Sequence, residues 1–363
     1  MTAHEPLGER ALIAALKQRV VDALPHRNPI RIGIGDDCAV LRPPPGHEIV
    51  VTTDLFLETV HFRRDWHTPE SAGHRCLARG LSDLAAMGAV PLAAFLSLAL
   101  PPELTVRNRG ARAAWVSRFL DGLLALAKQA KVPLAGGDTA QAPPFPFPRR
   151  LRKPLPGAST SFFAADIVLL GSVPTGEALL RSGARAGDLI YVTGRLGGAA
   201  AELQMLAENH PALLRGLRAP VPGDHHPHLF PEPRLAVARR LRSLASAAID
   251  LSDGIATDLD HLCQASRLCA VLQTDSLPIH PLAQVHPSAQ ALALTGGEDY
   301  ELLFTAPAST RIPRRLAGVL MYPIGHMRKP SKSEIPSVFL GTQKTEILVS
   351  TKGWQHFQSR PAK

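Results

Sequence analysis

The sequence predicts a two-domain protein of mixed α+β (α/β) class. Three observations carry that expectation. The chain has 363 residues, 45% of them hydrophobic and 20% charged, which exceeds one ordinary core and suffices to bury about two. Segments with helical periodicity alternate with short apolar runs of strand length. Near the middle, the pattern breaks in a stretch rich in proline and arginine. The break sets the expected boundaries: an N-terminal domain over 1–145, an insertion over 146–160 and a C-terminal α+β domain over 161–363.

The first helix is expected over Glu9–Leu24, with Leu12, Ile13, Leu16, Val20 and Leu24 on one face. Short strand-like runs follow at Ile30–Ile34, Ala39–Leu41 and Ile49–Thr53. Leu77, Leu81 and Leu84 are spaced for a helix over Ser71–Met87. Pro91–Leu100 reads as a buried strand, and Gly110–Lys131 as an amphipathic helix. A short strand then runs into a glycine turn at Gly136-Gly137. Gln141–Thr160 carries six prolines and the basic residues Arg149, Arg150, Arg152 and Lys153, a composition that favours a surface insertion. Beyond it, strands are expected at Asp166–Gly171, Asp188–Thr193 and Ala247–Leu251. Helices are expected at Gly198–Glu208, Arg234–Ser243 and Ser252–Ala265. A glycine turn enters a last strand within Thr295–Phe304. The stretch Thr310–Lys332 reads as a variable basic segment.

Composition excludes several function classes. The longest apolar run, Ala89–Leu100, has 12 residues, short of the roughly 20 that a spanning helix needs. The first residues lack a basic stretch followed by an apolar one, so no signal peptide is expected. Cys38, Cys76, Cys263 and Cys269 form no C-x-x-C pair, which favours reduced thiols and a cytoplasmic location. The net charge of +9 suggests polyanionic partners, either nucleic acid or phosphorylated small molecules. Aromatic residues are only 5%, too few to interleave a basic nucleic-acid face. No P-loop, kinase-type or G-x-S-x-G signature is present. His225, His226 and His228 offer metal-binding side chains, but among prolines in an expected loop.

The aspartates carry the chemistry. Several stand beside glycine or a hydroxyl residue at expected strand ends: Gly35-Asp36-Asp37, Thr52-Thr53-Asp54, Gly136-Gly137-Asp138-Thr139 and Asp250-Leu251-Ser252-Asp253-Gly254. Asp83 joins them from a helix. Hard divalent cations such as Mg²⁺ take oxygen ligands, and glycine lets backbone approach phosphate. Each motif also has an ordinary reading. Gly-Asp pairs are turn chemistry, Asp83 follows Arg79 at salt-bridge spacing, and Ser252 and Asp253 are suited to cap a helix.

Seven motifs in order, GIGDDCAVL (33–41), TTD with HF (52–54, 61–62), LSDLAAMGA (81–89), GGDT (136–139), RSGARAGDLIYVTG (181–194), IDLSDG (249–254) and GGEDYEL (296–302), resemble the thiamine-monophosphate kinase family. That family lies in the superfamily of aminoimidazole ribonucleotide synthetase and selenophosphate synthetase. The resemblance implies a two-domain aminoimidazole ribonucleotide synthetase-like fold. It also implies a homodimer whose N-terminal sheets pair into a barrel, and ATP-dependent phosphorylation of thiamine monophosphate with several Mg²⁺ ions. Carried over by position, Asp37, Thr52, Thr53, Asp54, Asp83, Asp138, Asp250 and Asp253 are the implied metal ligands. Gly137, Asp138, Arg181 and Ser252 would contact ATP, and His61, Glu298 and Trp354 the substrate. No general base is expected, because the attacking phosphate oxygen is already anionic. Arg181 suits a bidentate phosphate contact, and Trp354 suits stacking on a cationic ring or anchoring the C-terminal tail. Two alternatives remain at this stage. One is another ATP–Mg²⁺ enzyme of the superfamily, although selenophosphate synthesis would want a cysteine before Cys38. The other is a basic nucleic-acid-binding protein.

Overall fold

The apolar period of the Trp115 segment folds into a helix whose inner face buries Val116, Phe119, Leu120, Leu123, Leu126 and Ala127. A computed structural model of the chain describes residues 9–21, 29–34, 37–106, 113–143, 162–214, 226–341, 345–349 and 353. The chain forms two compact units. One comprises Met1–Gly80, Pro91–Ser172 and His210–Gly223, and the other Leu81–Val90, Val173–Asn209 and Asp224–Lys363. The expected insertion at 146–160 lies outside the described residues.

The first unit contains α1 (Glu9–Val21), β1 (Ile30–Ile32), β2 (Val40–Leu41), β3 (His47–Leu57), the first part of α2 (Pro69–Ala86), β4 (Val90–Leu100), α3 (Trp115–Ala130), β5 (Leu134–Gln141) and β6 (Ala164–Pro174). Its four-stranded sheet has the order β3-β6-β4-β5, with β4 and β5 parallel. Read from the sequence as the opening of the second domain, β6 is an inner strand here. The reason is its alternation: Phe163, Ala165, Ile167 and Leu169 are all buried, and Phe163 meets Phe62, Trp115 and Phe119 at ring-centroid distances of 5.1–5.5 Å. Helices α2 and α3 touch at two glycines. A Cβ on Gly73 would lie 1.8 Å from the Phe119 carbonyl oxygen, and one on Gly122 would lie 1.9 Å from that of Glu70. Arg118 closes the same contact with a two-pronged bond to Glu70 at 2.7 and 2.9 Å.

The expected turn at Gly136-Gly137 is strand. The β4–β5 ladder runs from Ala94–Leu134 to Leu100–Gln141 straight across both glycines. They are small because Phe95 covers Gly136 and the Leu96 carbonyl crowds Gly137. Thr52-Thr53-Asp54 also lies inside a strand, since β3 extends to Leu57. Along edge strand β3, Ile49, Val51 and Leu55 are 43%, 60% and 57% exposed.

The second unit is built on an eight-stranded sheet. It comprises β7 (Leu189–Thr193), α4 (Gly198–Leu214), α5 (Leu235–Leu241), β8 (Ala247–Asp250), α6 (Ile255–Ser266), β9 (Cys269–Gln273), α7 (Pro281–Gln284), α8 (Ala289–Thr295), β10 (Leu302–Ala306), β11 (Arg315–Leu316), β12 (Val319–Arg328), β13 (Val338–Gly341) and β14 (Glu346–Leu348). The path is β14-β13-β9-β12-β7-β10-β8, with β11 beside β12. It is antiparallel except where β13 lies parallel to β9. Both faces are buried. Ile190, Val192 and Leu303 pack with Leu259 and Leu262 of α6, while Tyr191, Leu302 and Phe304 pack with Val237 and Leu241 of α5. Strand β12 corrects the reading of 310–332 as a variable basic segment. Its inner residues Met321, Ile324 and Met327 are core, and Arg328 at its end is held by Glu334 and Glu346. None of the four cysteines is disulfide-bonded, and Cys76, Cys263 and Cys269 are buried. No helix among the described residues is long and apolar enough to cross a membrane.

Replacing Gly73 by alanine forces a methyl group into the Phe119 carbonyl. The expected loss of unfolding free energy in urea titration is about 1–3 kcal/mol or more. An unchanged denaturation midpoint would show that the α2–α3 contact yields without strain.

Candidate active site

In the first unit, the parallel pairing of β4 and β5 brings the GGDT motif to a cavity of about 550 Å³. Asp37, from the loop before β2, and Gly136, Gly137, Asp138 and Thr139, from β5, line it. Two motifs a hundred residues apart in sequence thus meet. Gly137 has φ 148°, and a Cβ there would lie 1.8 Å from the Leu96 carbonyl oxygen, so only glycine fits. The Asp138 carboxylate accepts the Thr139 N–H at 2.8 Å. Asp36 lies outside the described residues.

The TTD motif is split by the pleat. Successive strand residues face opposite ways, so Thr52 and Asp54 share one face and Thr53 takes the other. The Thr52 methyl lies near Gly80 of α2, and Arg79 of α2 reaches Asp54 Oδ1 at 3.3 Å. Thr53 Oγ1 instead donates to Asp166 on β6 at 2.9 Å. Two strands, β6 and β4, separate β3 from β5. His61 is fixed by its ring: Nδ1 accepts the Leu57 N–H at 2.9 Å, and the ring stacks on Phe56 at 6.1 Å. Buried Arg75 donates to the His61 carbonyl at 3.0 Å.

The second unit assembles residues from distant motifs around one turn. Asp250, the last residue of β8, is buried and accepts the Ser82 hydroxyl at 2.8 Å. Asp83, the next residue of α2, is half-buried. After Asp250 the chain turns through Ser252 and Asp253 to Gly254, whose φ is 101°. The N-cap of α6 is Gly254, one residue beyond the Ser252 and Asp253 suited to that position by sequence. Asp258 reaches back instead, accepting the N–H groups of Ser252 at 3.1 Å and Asp253 at 3.0 Å. Burial, and then the charges of Asp250 and Asp253, push the Asp258 carboxyl well above the usual range. The GGEDYEL loop lies on this turn: Glu298 N–H donates to the Ser252 carbonyl at 2.8 Å, and the Glu298 carboxylate is 3.3 Å from His228 Nδ1. Gly353 also reaches it, donating to Thr257 Oγ1 at 2.7 Å. Trp354 lies outside the described residues. Arg181 is exposed in a single 3₁₀ turn, where its carbonyl accepts the Ser266 hydroxyl.

Among the described residues, no three His, Cys, Asp or Glu side chains are disposed to hold a metal ion. The histidine group resolves differently: His226 pairs with Glu202 at 2.6 Å, His228 faces Glu298, and His225 lies outside the described residues. Sequence reading missed Arg79, Asp166, Asp258, Asp299 and Glu301. The last two had a signal, because they stand inside a motif of three acids. Asp299 accepts the N–H groups of Gly197 at 2.7 Å and Ala199 at 3.1 Å. Glu301 is buried and held by Arg234 at 2.5 and 2.7 Å and by Thr193.

The AIR synthase related protein, N-terminal domain, family matches residues 35–159. The thiamine-monophosphate kinase of Salmonella typhimurium is 36% identical, over 96% of this chain and 98% of its own. The crystal structure of thiamine-monophosphate kinase from Stenotrophomonas maltophilia K279a superposes with a TM-score of 0.70 at 33% identity, over 93% of this chain and 98% of that one. A structure of AaThiL complexed with AMPPCP and TMP superposes with a TM-score of 0.67 at 27% identity, over 97% of both chains.

Asp299 also generates a pH prediction. Burial raises its carboxyl to about 7, against the lowering by the backbone N–H groups of α4. A raised folded pKa means that the folded state binds the extra proton, so the contribution to stability declines as pH rises from about 4 through about 7. Urea titrations at pH 5 and pH 8 should show wild type losing about 2–3 kcal/mol more than Asp299→Asn across that interval. Equal losses would mean that Asp299 titrates near its unfolded value.

Proposed function

The chain belongs to the thiamine-monophosphate kinase family, and on that premise we propose that it transfers the γ-phosphoryl group of ATP to thiamine monophosphate, giving thiamine diphosphate. The observation that carries this reading is the turn after β8. Ser82, Asp250, Ser252, Asp253 and Glu298, from three separate motifs, are gathered there with Asp258. Such a site is built of carboxylates, hydroxyls and glycines. That suits a reaction whose nucleophile is already an anionic phosphate oxygen. The related structure bound to AMPPCP and TMP supports ATP as the phosphoryl donor.

Mg²⁺ fits the donor chemistry, which is all hard oxygen. In the first unit Asp37 and Asp138 would hold one ion beside β5, and Thr52, Thr53 and Asp54 would serve another on β3, two strands away; Asp83, Asp250 and Asp253 would hold one in the second unit. Bound cations would neutralise phosphate charge and align the displacement in line. Gly137 would let backbone N–H approach the nucleotide, with Ser252 and Arg181 as further phosphate donors. His61 accepts the Leu57 N–H at Nδ1, which places the ring proton on Nε2, the atom that would face the substrate. Glu298 and Trp354 would complete the substrate contacts.

Incubation with ATP, Mg²⁺ and thiamine monophosphate should yield thiamine diphosphate by chromatography, and chelation of the metal should stop it. Asp54→Asn and Asp253→Asn should each lower kcat on the order of 10²-fold or more, with circular dichroism unchanged. No product above the enzyme-free control would sink the proposal, and a near-normal variant would remove that residue from the metal set.

We also propose that a second copy covers edge strand β3, as the family's barrel dimer requires. The exposed Ile49, Val51 and Leu55 support this, because they form an apolar row on one face of an unpaired edge. Val51→Lys with Leu55→Lys should shift light scattering from dimer to monomer mass. Retention of the dimer mass would place the interface elsewhere.

A further inference from the structure

Between α8 and β10 the chain crosses Gly296–Glu301 without regular structure. Two residues of this segment hold left-handed backbone, Glu298 at φ 70° and Tyr300 at φ 48°. In this region Cβ crowds the carbonyl oxygen, so residues other than glycine enter it only where their surroundings enforce it. The other such residues have ordinary explanations. Lys131 and Arg267 are helix C-caps, Ala317 precedes Gly318 in the turn between β11 and β12, and Thr59 lies in the turn after β3. Glu298 and Tyr300 end no helix and make no hairpin. They flank one residue, Asp299.

The surroundings that enforce this conformation are on both sides. Glu298 N–H donates to the Ser252 carbonyl at 2.8 Å, and Tyr300 N–H to the Leu251 carbonyl at 2.9 Å. Between these bonds, the Asp299 carboxylate points the other way and accepts the Gly197 and Ala199 N–H groups at the start of α4. Downstream, Glu301 is clamped by Arg234 and Thr193, and the Tyr300 side chain is buried. The backbone therefore zigzags, with Asp299 pinned to α4 and its two neighbours turned onto the Ser252 turn. One of those neighbours is Glu298, whose carboxylate faces His228.

We propose that Asp299 is a positioning residue: by tying the segment to the first turn of α4, it holds Glu298 in the left-handed conformation that presents its carboxylate to substrate. The proposal rests on the reading of Glu298 as a substrate contact. It gives the second acid of the GGEDYEL motif a task distinct from those of the first and third. Glu298 touches substrate, Glu301 anchors the strand, and Asp299 sets the angle between them.

Asp299→Asn in the full-length enzyme tests this with little change in volume. An amide offers one acceptor oxygen where the carboxylate offers two, so one α4 N–H loses its partner. Hydrogen–deuterium exchange at the Glu298 and Tyr300 amides should quicken about tenfold, as expected for one charge-assisted hydrogen bond, while the β10 amides of Leu303 and Phe304 keep their protection. KM for thiamine monophosphate should rise by a similar factor, with KM for ATP and kcat within about twofold of wild type. In a Glu298→Gln background the same change should add nothing further to that KM, because both act through one contact. Unchanged exchange overturns the pin, and so does a rise shared by both Michaelis constants. Independent, additive effects overturn the link to Glu298. Exchange needs no turnover, so an inactive wild type would sink the kinase reading while leaving the pin itself measured.

Discussion

Like charges brought together at one turn are the constraint on which the second unit depends. Asp250, Asp253 and Asp258 surround the turn after β8, and burial, followed by the charges of the first two, pushes up the carboxyl of the third. Three carboxylates so placed repel one another unless each is given donors. Ser82 supplies one to Asp250, and the Ser252 and Asp253 amides supply two to Asp258. A turn satisfied in this way cannot relax without exposing buried carboxylates, so its shape is set before any ligand arrives. A site for polyanionic phosphates benefits from that rigidity, since cations can enter with little rearrangement of the protein.

Rigidity of this kind needs backbones to meet, and glycine is where they do. A Cβ on Gly297 would lie 2.6 Å from the Ser252 carbonyl oxygen, and one on Gly353 would lie 1.7 Å from that of Asp253. The GGEDYEL loop and the chain at Gly353 thus lie directly on the carboxylate turn. The same device recurs in the first unit, where Gly137 lies against Leu96 in the β4–β5 ladder. In each case the glycine serves close approach, and at Gly137 it does so inside a strand.

That distinction explains what was legible in the sequence. Helix periods and most strands were readable, because burial on one face leaves a 3.6- or 2-residue signature, as in α3 and β6. Motif membership was readable too, and the structure brings Asp37 to Asp138 and Ser252 to Glu298. Geometry was less so. A Gly-Gly pair signals a turn by local propensity, yet the parallel partner β4 pulled it into a strand. Three consecutive residues, Thr52-Thr53-Asp54, read as one ligand group, whereas the pleat sends Thr53 to Asp166 on the opposite face. Strand β12 was hidden because the basic residues flanking it, Arg311, Arg314, Arg315, Lys329 and Lys332, gave the segment a surface composition, although its inner residues are core. Asp258 had no motif to announce it, since its role depends on a backward reach that only the folded turn creates.

Much of the positive charge is held in ion pairs within the fold, so the net charge of +9 is a poor sign of function. Glutamate, one methylene longer, reaches across to arginine: Glu58 to Arg64, Glu70 to Arg118, Glu301 to Arg234, and Glu334 and Glu346 to Arg328. Aspartates do both: Asp54, Asp65 and Asp121 pair with Arg79, Arg63 and Arg19, while Asp138 takes an amide hydrogen from Thr139, Asp258 from Ser252 and Asp253, and Asp299 from Gly197 and Ala199. Several arginines are thus held by carboxylates within the fold, while buried Arg75 is held by the His61 carbonyl. A carboxylate held by backbone amides keeps its remaining lone pairs for a cation or a water, whereas one gripped by a guanidinium fork does not. Asp138, held by a backbone amide, is a carboxylate of the kind that the proposed kinase reading would set against a cation.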